Sequence, residues 1–136
     1  MKNQVPFLYK VLSIAGSDSG GGAGIQADIK TITALGGYAT TAITALTAQN
    51  TLGVHSVFEV PASFVSQQID TVMTDIGTDA VKTGMLLCKD IVDVVSLKIK
   101  EYHIKRVVVD PVMLSKNERM LLSTDAIYAL TAHLFP

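Results

Sequence analysis

The first candidate binding site in this sequence is a glycine-rich segment. It lies between an apolar run and a segment with helical spacing. Residues 16–24 include five glycines and almost no side-chain bulk. Backbone N–H groups in such a loop, at the positive end of a helix, favour an anionic or strongly polar ligand. A tight turn without any ligand is an equally good interpretation. Neither a Walker A loop nor the dinucleotide spacing GxGxxG is present.

Isolated polar and soft side chains elsewhere could contact a ligand. Asp28 could accept hydrogen bonds from an amine or hydroxyl, or simply stabilise its helix. The Gln49 amide offers donors and an acceptor that match an aminopyrimidine edge, or it caps loop backbone. Met85 could pack on a flat ring or fill the core. Asp110 could join a magnesium or phosphate network, or cap a turn. Lys82, inside an apolar strand, is expected to form a salt bridge.

Strands alternate with helices along the chain, and these elements would position the polar residues. Short β-branched runs predict strands at 11–15, 40–48, 54–60, 80–83 and 106–110. We expect the second of these to be one buried strand, the third an exposed edge or flap, and the last the most clearly buried. Helical spacing predicts helices over 25–35, 62–76 and 91–102, with Pro61 in a first turn, and a fourth from about Asp125 capped by Ser123 or Thr124.

This alternation predicts a mostly parallel sheet with helices on both faces. In such sheets ligands bind at the carboxyl ends of the strands. We therefore expect four segments to gather at one edge of the sheet, namely residues 16–22, 49–50, 84–86 and 110–113.

Composition excludes several classes of partner. The 136 residues suffice for one domain, and a net charge of −1 with interleaved signs indicates neither nucleic acid nor an anionic membrane surface as a partner. The single cysteine, Cys88, cannot form an internal disulfide and indicates a reduced thiol. No secretory segment or membrane span is evident. The sequence predicts a cytoplasmic protein that meets small molecules.

Four motifs together resemble one family. They are IAGSDSGGGAGIQADIKT at 14–31, TALTAQNT at 44–51, KTGML at 82–86 and VDPVM at 109–113. In order and spacing the chain is similar to the hydroxymethylpyrimidine/phosphomethylpyrimidine kinases of the ribokinase superfamily, from about Val11 to Pro136. The resemblance implies that residues 1–136 are the N-terminal, substrate-binding part of an α/β, ribokinase-like kinase, truncated before the C-terminal ATP-binding half.

The resemblance also implies an activity and a set of ligand contacts. The family phosphorylates 4-amino-5-hydroxymethyl-2-methylpyrimidine and then its monophosphate, with ATP and magnesium, in thiamine biosynthesis. By resemblance, Asp28 and Gln49 would hydrogen-bond the aminopyrimidine, whereas Gly16, Met85 and Val112 would wall its ring. Asp110 would belong to a magnesium or phosphate network. No residue of this sequence is assigned as catalytic, no metal site is assigned within it, and a homodimer is a possible assembly.

The sequence differs from the family pattern in two ways, and two alternative functions stay open. Residues 116–119 read Lys-Asn-Glu-Arg where relatives carry a small Ser-Gly pair. The chain also lacks the later half of the relatives, so little kinase activity is expected from it alone. The alternatives are a pyridoxine or pyridoxal kinase of the same fold, which Gln49 disfavours, and a non-catalytic, truncated binding module.

Overall fold

Strands and helices alternate along the chain in the computed structural model, which describes residues 8–113 and 122–135. In chain order they are β1 (Lys10–Ala15), α1 (Gly24–Ala34), β2 (Tyr38–Ile43), β3 (Ala45–Asn50), β4 (Gly53–Glu59), α2 (Ala62–Asp75), β5 (Ala80–Thr83), α3 (Lys89–Glu101), β6 (Val107–Val109), α4 (Thr124–Ala129) and a π-helical turn (Leu130–Leu134).

The main sheet is parallel, as predicted. Its four strands lie in the order β2-β1-β5-β6, and β1 pairs with β2 over its full length and with β5 over residues 11–14. Parallel neighbours place all their carboxyl ends at the same edge. The loops that follow β1, β5 and β6 therefore start from one edge of the molecule.

The hydrophobic core lies on one face of this sheet. Leu12 and Ile14 of β1 pack there against Val65 and Ile69 of α2 and Val95 of α3, and all five are fully buried. The helical spacing of the buried positions in α2 and α3 explains why these segments fold as amphipathic helices against the strands. Side chains of α4 close the same core.

The opposite face of the sheet is covered by α1. Successive strand residues point to opposite faces, so Ser13 lies on this side, where its hydroxyl meets Asp28 of α1. The prediction of helices on both faces is therefore correct. The expectation that 106–110 is the most buried strand is wrong, because β6 is a three-residue edge strand and Val108 is 63% exposed.

The predicted strand at 40–48 is in fact two strands in different sheets. The chain leaves the parallel sheet at Thr44, whose N–H donates to the Ala15 carbonyl and whose hydroxyl donates to the Met85 carbonyl at 2.6 Å. Beyond that point β3 pairs with β4 in an antiparallel ribbon, which agrees with the flap expected at 54–60. Threonine and alanine suit both strands equally, so composition alone does not mark the break.

Among the α-helices in the described residues, α4 alone begins with a side-chain cap. The Ser123 hydroxyl accepts a hydrogen bond from the Ala126 N–H at 3.3 Å, which confirms it as the cap of α4. Pro61 is extended and precedes α2 as its N-cap, so it does not lie in the first turn. Within 8–113 and 122–135, no helix combines the length and apolar character needed to cross a bilayer.

Candidate functional site

Three loops and the antiparallel ribbon meet at the carboxyl edge of the parallel sheet. The Ser17 N–H donates to the Ala45 carbonyl, and the Ser19 hydroxyl and the Gln49 backbone exchange two hydrogen bonds of 2.7 Å. The ribbon is thus tied to the glycine loop, and Gln49 lies beside that loop without belonging to a strand of the main sheet. Gln49 lies near the end of a strand, as expected, but this strand is β3 of the ribbon and not a strand of the parallel sheet.

The glycine loop carries its own anion. Asp18, only 5% exposed, accepts hydrogen bonds of 2.8–2.9 Å from the backbone N–H groups of Gly20, Gly22 and Ala23. The N–H of Gly21 donates to the Asp18 carbonyl. These donors form the concave nest that commonly binds phosphate, and the Asp18 carboxylate occupies it. Of the two interpretations of this loop, the structure supports the internally satisfied turn over an anion cradle.

An ion-pair cluster lies beneath α1 and joins three elements. Lys82 Nζ of β5 is 3.1 Å from both carboxylate oxygens of Asp28 and 3.6 Å from the nearer oxygen of Asp110, which follows β6. The hydroxyl of Ser13 donates to Asp28 Oδ2 at 2.6 Å. The predicted salt bridge of Lys82 is confirmed, and it brings two of the proposed site carboxylates to one cation.

The partners of Asp28 leave it one acceptor position. A carboxylate offers about four lone-pair sites. Oδ2 accepts from Lys82 and Ser13, whereas Oδ1 accepts from Lys82 alone among the residues that the structure describes. The Asp28 side chain is 17% exposed. Oδ1 therefore has one acceptor position to which no described residue donates.

Gly16 and Met85 are packed directly against each other at the end of β1. A Cβ placed on Gly16 would lie 2.4 Å from Met85 Cε, so only glycine lets the thioether occupy this position. Met85 is buried, and its carbonyl is fixed by the Thr44 hydroxyl. Two of the three proposed ring-wall residues thus form one surface next to the loop.

The remaining predicted residues lie at the same edge with fewer contacts. The Gln49 side-chain oxygen is 3.4 Å from the Thr47 hydroxyl, and its amide makes no hydrogen bond to Asp28 or Met85 in the described ranges. Val112 is half-buried, and its N–H donates to the Asp110 carbonyl at 2.9 Å. Residues 116–119, where the sequence departs from the family pattern, lie outside the described residues.

Cys88, the single cysteine of the sequence, does not have the properties of a catalytic nucleophile. Burial, followed by the hydrogen bond from Cys88 Sγ to Glu59, raises the pKa of Cys88. A raised thiol pKa lowers the thiolate fraction and hence the reactivity. Cys88 is a free cysteine at the N-cap of α3, and its reduced state stays a prediction.

A metal ion would find few ligands in the described part of the chain. No group of three or more His, Cys, Asp or Glu side chains is arranged for one within those ranges. Asp110 is 53% exposed and remains accessible beside Lys82. One or two carboxylates together with substrate phosphates are the usual ligands of Mg²⁺ in phosphoryl transfer. Asp110 fits that partial role only.

Asp18 and Ser13 are the site residues that sequence reasoning missed. An aspartate two residues before a run of three glycines can fold back on the loop N–H groups, and this spacing was the available signal for Asp18. The sequence signal for Ser13 was weaker: it is the only polar residue of an otherwise apolar run at 11–15. Its partner is 15 residues away, so only the packing of α1 on the sheet identifies it.

Comparison with known proteins decides the family. Residues 18–136 match the family described as phosphomethylpyrimidine kinase. The chain belongs to this family. It is 54% identical over 129 residues to the hydroxymethylpyrimidine/phosphomethylpyrimidine kinase of Bacillus subtilis, a match that covers 95% of this chain and 48% of that protein. The matched range includes the ribbon, both later loops and all but the first two residues of the glycine loop.

Solved structures agree with the predicted fold. The crystal structure of a phosphomethylpyrimidine kinase from Clostridium difficile 630 has a TM-score of 0.88 and 46% identity, covering 94% of this chain and 55% of that one. An ADP complex of Bacillus subtilis pyridoxal kinase has a TM-score of 0.80 and 40% identity, covering 93% and 46%. The ribokinase-like fold is confirmed, and the chain spans about half the length of these relatives.

Proposed function

We propose that this chain forms the acceptor-binding half of an ATP-dependent kinase that phosphorylates 4-amino-5-hydroxymethyl-2-methylpyrimidine and its monophosphate in thiamine biosynthesis. The observation that carries the proposal is the convergence of Asp28, Lys82 and Asp110 at the carboxyl edge of the sheet, in a chain of the phosphomethylpyrimidine kinase family. The name of the Bacillus subtilis relative supports the same substrates.

The pyrimidine would lie between the Gly16–Met85 surface and the Asp28 carboxylate. Oδ1 of Asp28 would accept one hydrogen bond from the exocyclic amine, since its other positions are taken. The Gln49 amide would hydrogen-bond a second position of the ring, and Val112 would close the opposite side. Asymmetric donors and acceptors of this kind set orientation in a mostly apolar pocket.

Phosphate chemistry would take place on the Asp110 side of the pocket. The glycine loop is not free to hold phosphates, because Asp18 already accepts from its N–H groups. Asp110 would contribute one carboxylate to a magnesium ion shared with the phosphates of ATP. Magnesium would supply charge neutralisation at the transferring group. This chain's part is to bind and orient the acceptor, and we expect little turnover from it alone.

A pyridoxal kinase is the second candidate, favoured by the fold match to the Bacillus subtilis enzyme. Gln49 argues for the pyrimidine, because a primary amide pairs with a ring nitrogen and an exocyclic amine together. A pyridoxine hydroxyl would leave part of that amide unpaired. Unpaired polar groups in a site reduce affinity strongly.

Calorimetric titration of the 136-residue chain tests the proposal. We expect binding of 4-amino-5-hydroxymethyl-2-methylpyrimidine in preference to pyridoxine, and a loss of about tenfold in Gln49→Ala. Gln67→Ala removes an exposed amide from α2 and serves as the matched control. Absence of pyrimidine binding, or preference for pyridoxine that Gln49→Met leaves unchanged, would contradict the assignment.

A further inference from the structure

Lys82 occupies a position that packing alone does not explain. It lies opposite Ser13 in the β1–β5 register, on the sheet face covered by α1, and its side chain is only 24% exposed. Taking a lysine and an aspartate partly out of water costs free energy. Two apolar residues of similar volume would often stabilise such a position as well or better. The ion pair therefore calls for a reason other than stability.

The surrounding backbone leaves room for the ammonium group. A Cβ on Gly84 would lie 3.2 Å from Lys82 Nζ and 2.9 Å from Ala15 Cβ. The absent side chain at 84 thus lets the ammonium reach under α1 to both oxygens of Asp28. The same ammonium faces Asp110, so it stands between the two carboxylates of the candidate site.

We propose that Lys82 is a positioning residue, which together with Ser13 fixes the Asp28 carboxylate so that Oδ1 presents its one open acceptor to the amine of the substrate. The inference rests on the proposed function, because it assigns a role within the same acceptor site. Lys82 contacts both oxygens of Asp28 from the side of the sheet. Ser13 occupies the second position on Oδ2, so the plane of the carboxylate is set by donors from two strands.

This arrangement makes a prediction about specificity. Substrates that donate to Oδ1 depend on Lys82, whereas analogues without that donor do not. The effect of Lys82 should therefore appear in the difference between two ligands. A residue that merely supported the fold would change the affinity for both ligands alike.

Titration calorimetry on the 136-residue chain with two ligands tests the role. The probes are 4-amino-5-hydroxymethyl-2-methylpyrimidine and the same molecule without its 4-amino group. We expect Lys82→Met to weaken the amino ligand about tenfold and the analogue less than about threefold. Ser13→Ala, a small change that tests the same carboxylate if Lys82→Met fails to fold, should give the same pattern with about a threefold loss.

A lysine from an exposed pair provides the matched control. Lys89 bonds Asp93 at the start of α3, and Lys89→Met removes the same charge without touching the site. Equal losses for both ligands in Lys82→Met and Ser13→Ala, or losses no greater than in Lys89→Met, would overturn the role of Lys82. Wild-type protein that binds neither ligand would overturn the proposed function and this role together.

Discussion

The side-chain amide of Gln68 closes the open edge of β2 at Ile43. Its oxygen accepts from the Ile43 N–H at 2.9 Å, and its nitrogen donates to the Ile43 carbonyl at 3.0 Å. An amide can imitate a neighbouring strand in this way and satisfy both outward-facing backbone groups. Ile43 is the last residue of β2, so the contact lies at the point where the chain turns away toward the ribbon.

We expect Gln68→Ala to lower the free energy of unfolding by about 1–2 kcal/mol, because two partly buried backbone groups lose their partner. Gln67→Ala, the adjacent and exposed amide on α2, should change it by less than about 0.5 kcal/mol. Urea unfolding at neutral pH measures both. Equal stabilities of the two variants would show that the edge contact contributes nothing.

Strands that lie within the parallel sheet could be located from the sequence, whereas the place where the chain changes sheets could not. The strand at 80–83 matches β5 residue for residue, because apolar neighbours and Gly84 bound it locally. Nothing local distinguishes Thr44 from the threonines around it. Its partners are the backbone at Ala15 and Met85, which are 29 and 41 residues away.

The sequence pointed to some residues at this edge of the sheet, but it did not indicate Ser13, Asp18 or the partner that each side chain takes. Asp110 directly follows a strand of the parallel sheet and so marks this edge. Asp28 lies one turn into α1, and Gln49 lies near the end of β3 in the ribbon. The sequence does not reveal that Lys82 takes both oxygens of Asp28, since that depends on how α1 packs across β1 and β5. The same holds for the glycine loop, for which composition alone favoured a bound ligand and a turn without any ligand equally. The contacts of Asp18 with the loop N–H groups depend on the folded loop.

Asp18 should be necessary for the conformation of the glycine loop. Asn in its place keeps one acceptor oxygen but loses the charge, and its NH₂ group would face a backbone donor that now has no acceptor. We expect Asp18→Asn to cost about 1–3 kcal/mol of stability. Asp75→Asn, at the exposed end of α2, is the control for charge. Thermal and urea unfolding measure the stability of both variants. Equal losses of stability in Asp18→Asn and Asp75→Asn would contradict the role of Asp18.

Asp70 links α2 to α3 and should make stability depend on pH in the acid range. Its carboxylate accepts from Lys98 at 2.8 Å and from the Tyr102 hydroxyl at 2.7 Å. The hydrogen bond from Lys98, more than any other contact, lowers the pKa of Asp70. A lowered folded-state pKa stabilises the protein above the unfolded value of about 3.9, and this contribution is lost as the pH falls through the folded value.

Accordingly, Asp70→Asn should be less stable than wild type by about 0.5–1 kcal/mol at pH 7, a modest figure because the carboxylate is partly exposed. The difference should shrink toward zero below the folded pKa. Glu101→Gln removes an exposed partner of the same lysine within α3 and should have a smaller effect. Urea unfolding measures this difference in stability. The measurements should span about pH 2.5–7, which covers the protonation of Asp70. A pH-independent gap would argue against the linkage.

Gly16 offers the most direct test of the surface proposed to contact the ring. A methyl group there would displace the end of Met85, which is flexible, so we expect Gly16→Ala to cost only about 1 kcal/mol of stability while weakening the pyrimidine about tenfold. Gly22→Ala is the matched control in the same loop, because its Cβ would meet only Asp18 Oδ2 at an ordinary 3.8 Å. The double variant Gly16→Ala/Met85→Ala removes the thioether and with it the clash, but it also removes the side chain proposed to contact the ring. The affinity for the pyrimidine should therefore stay low in the double variant. Its loss of stability should be smaller than the sum of the losses in the two single variants. Unaltered binding in Gly16→Ala would show that the ring does not lie on this surface.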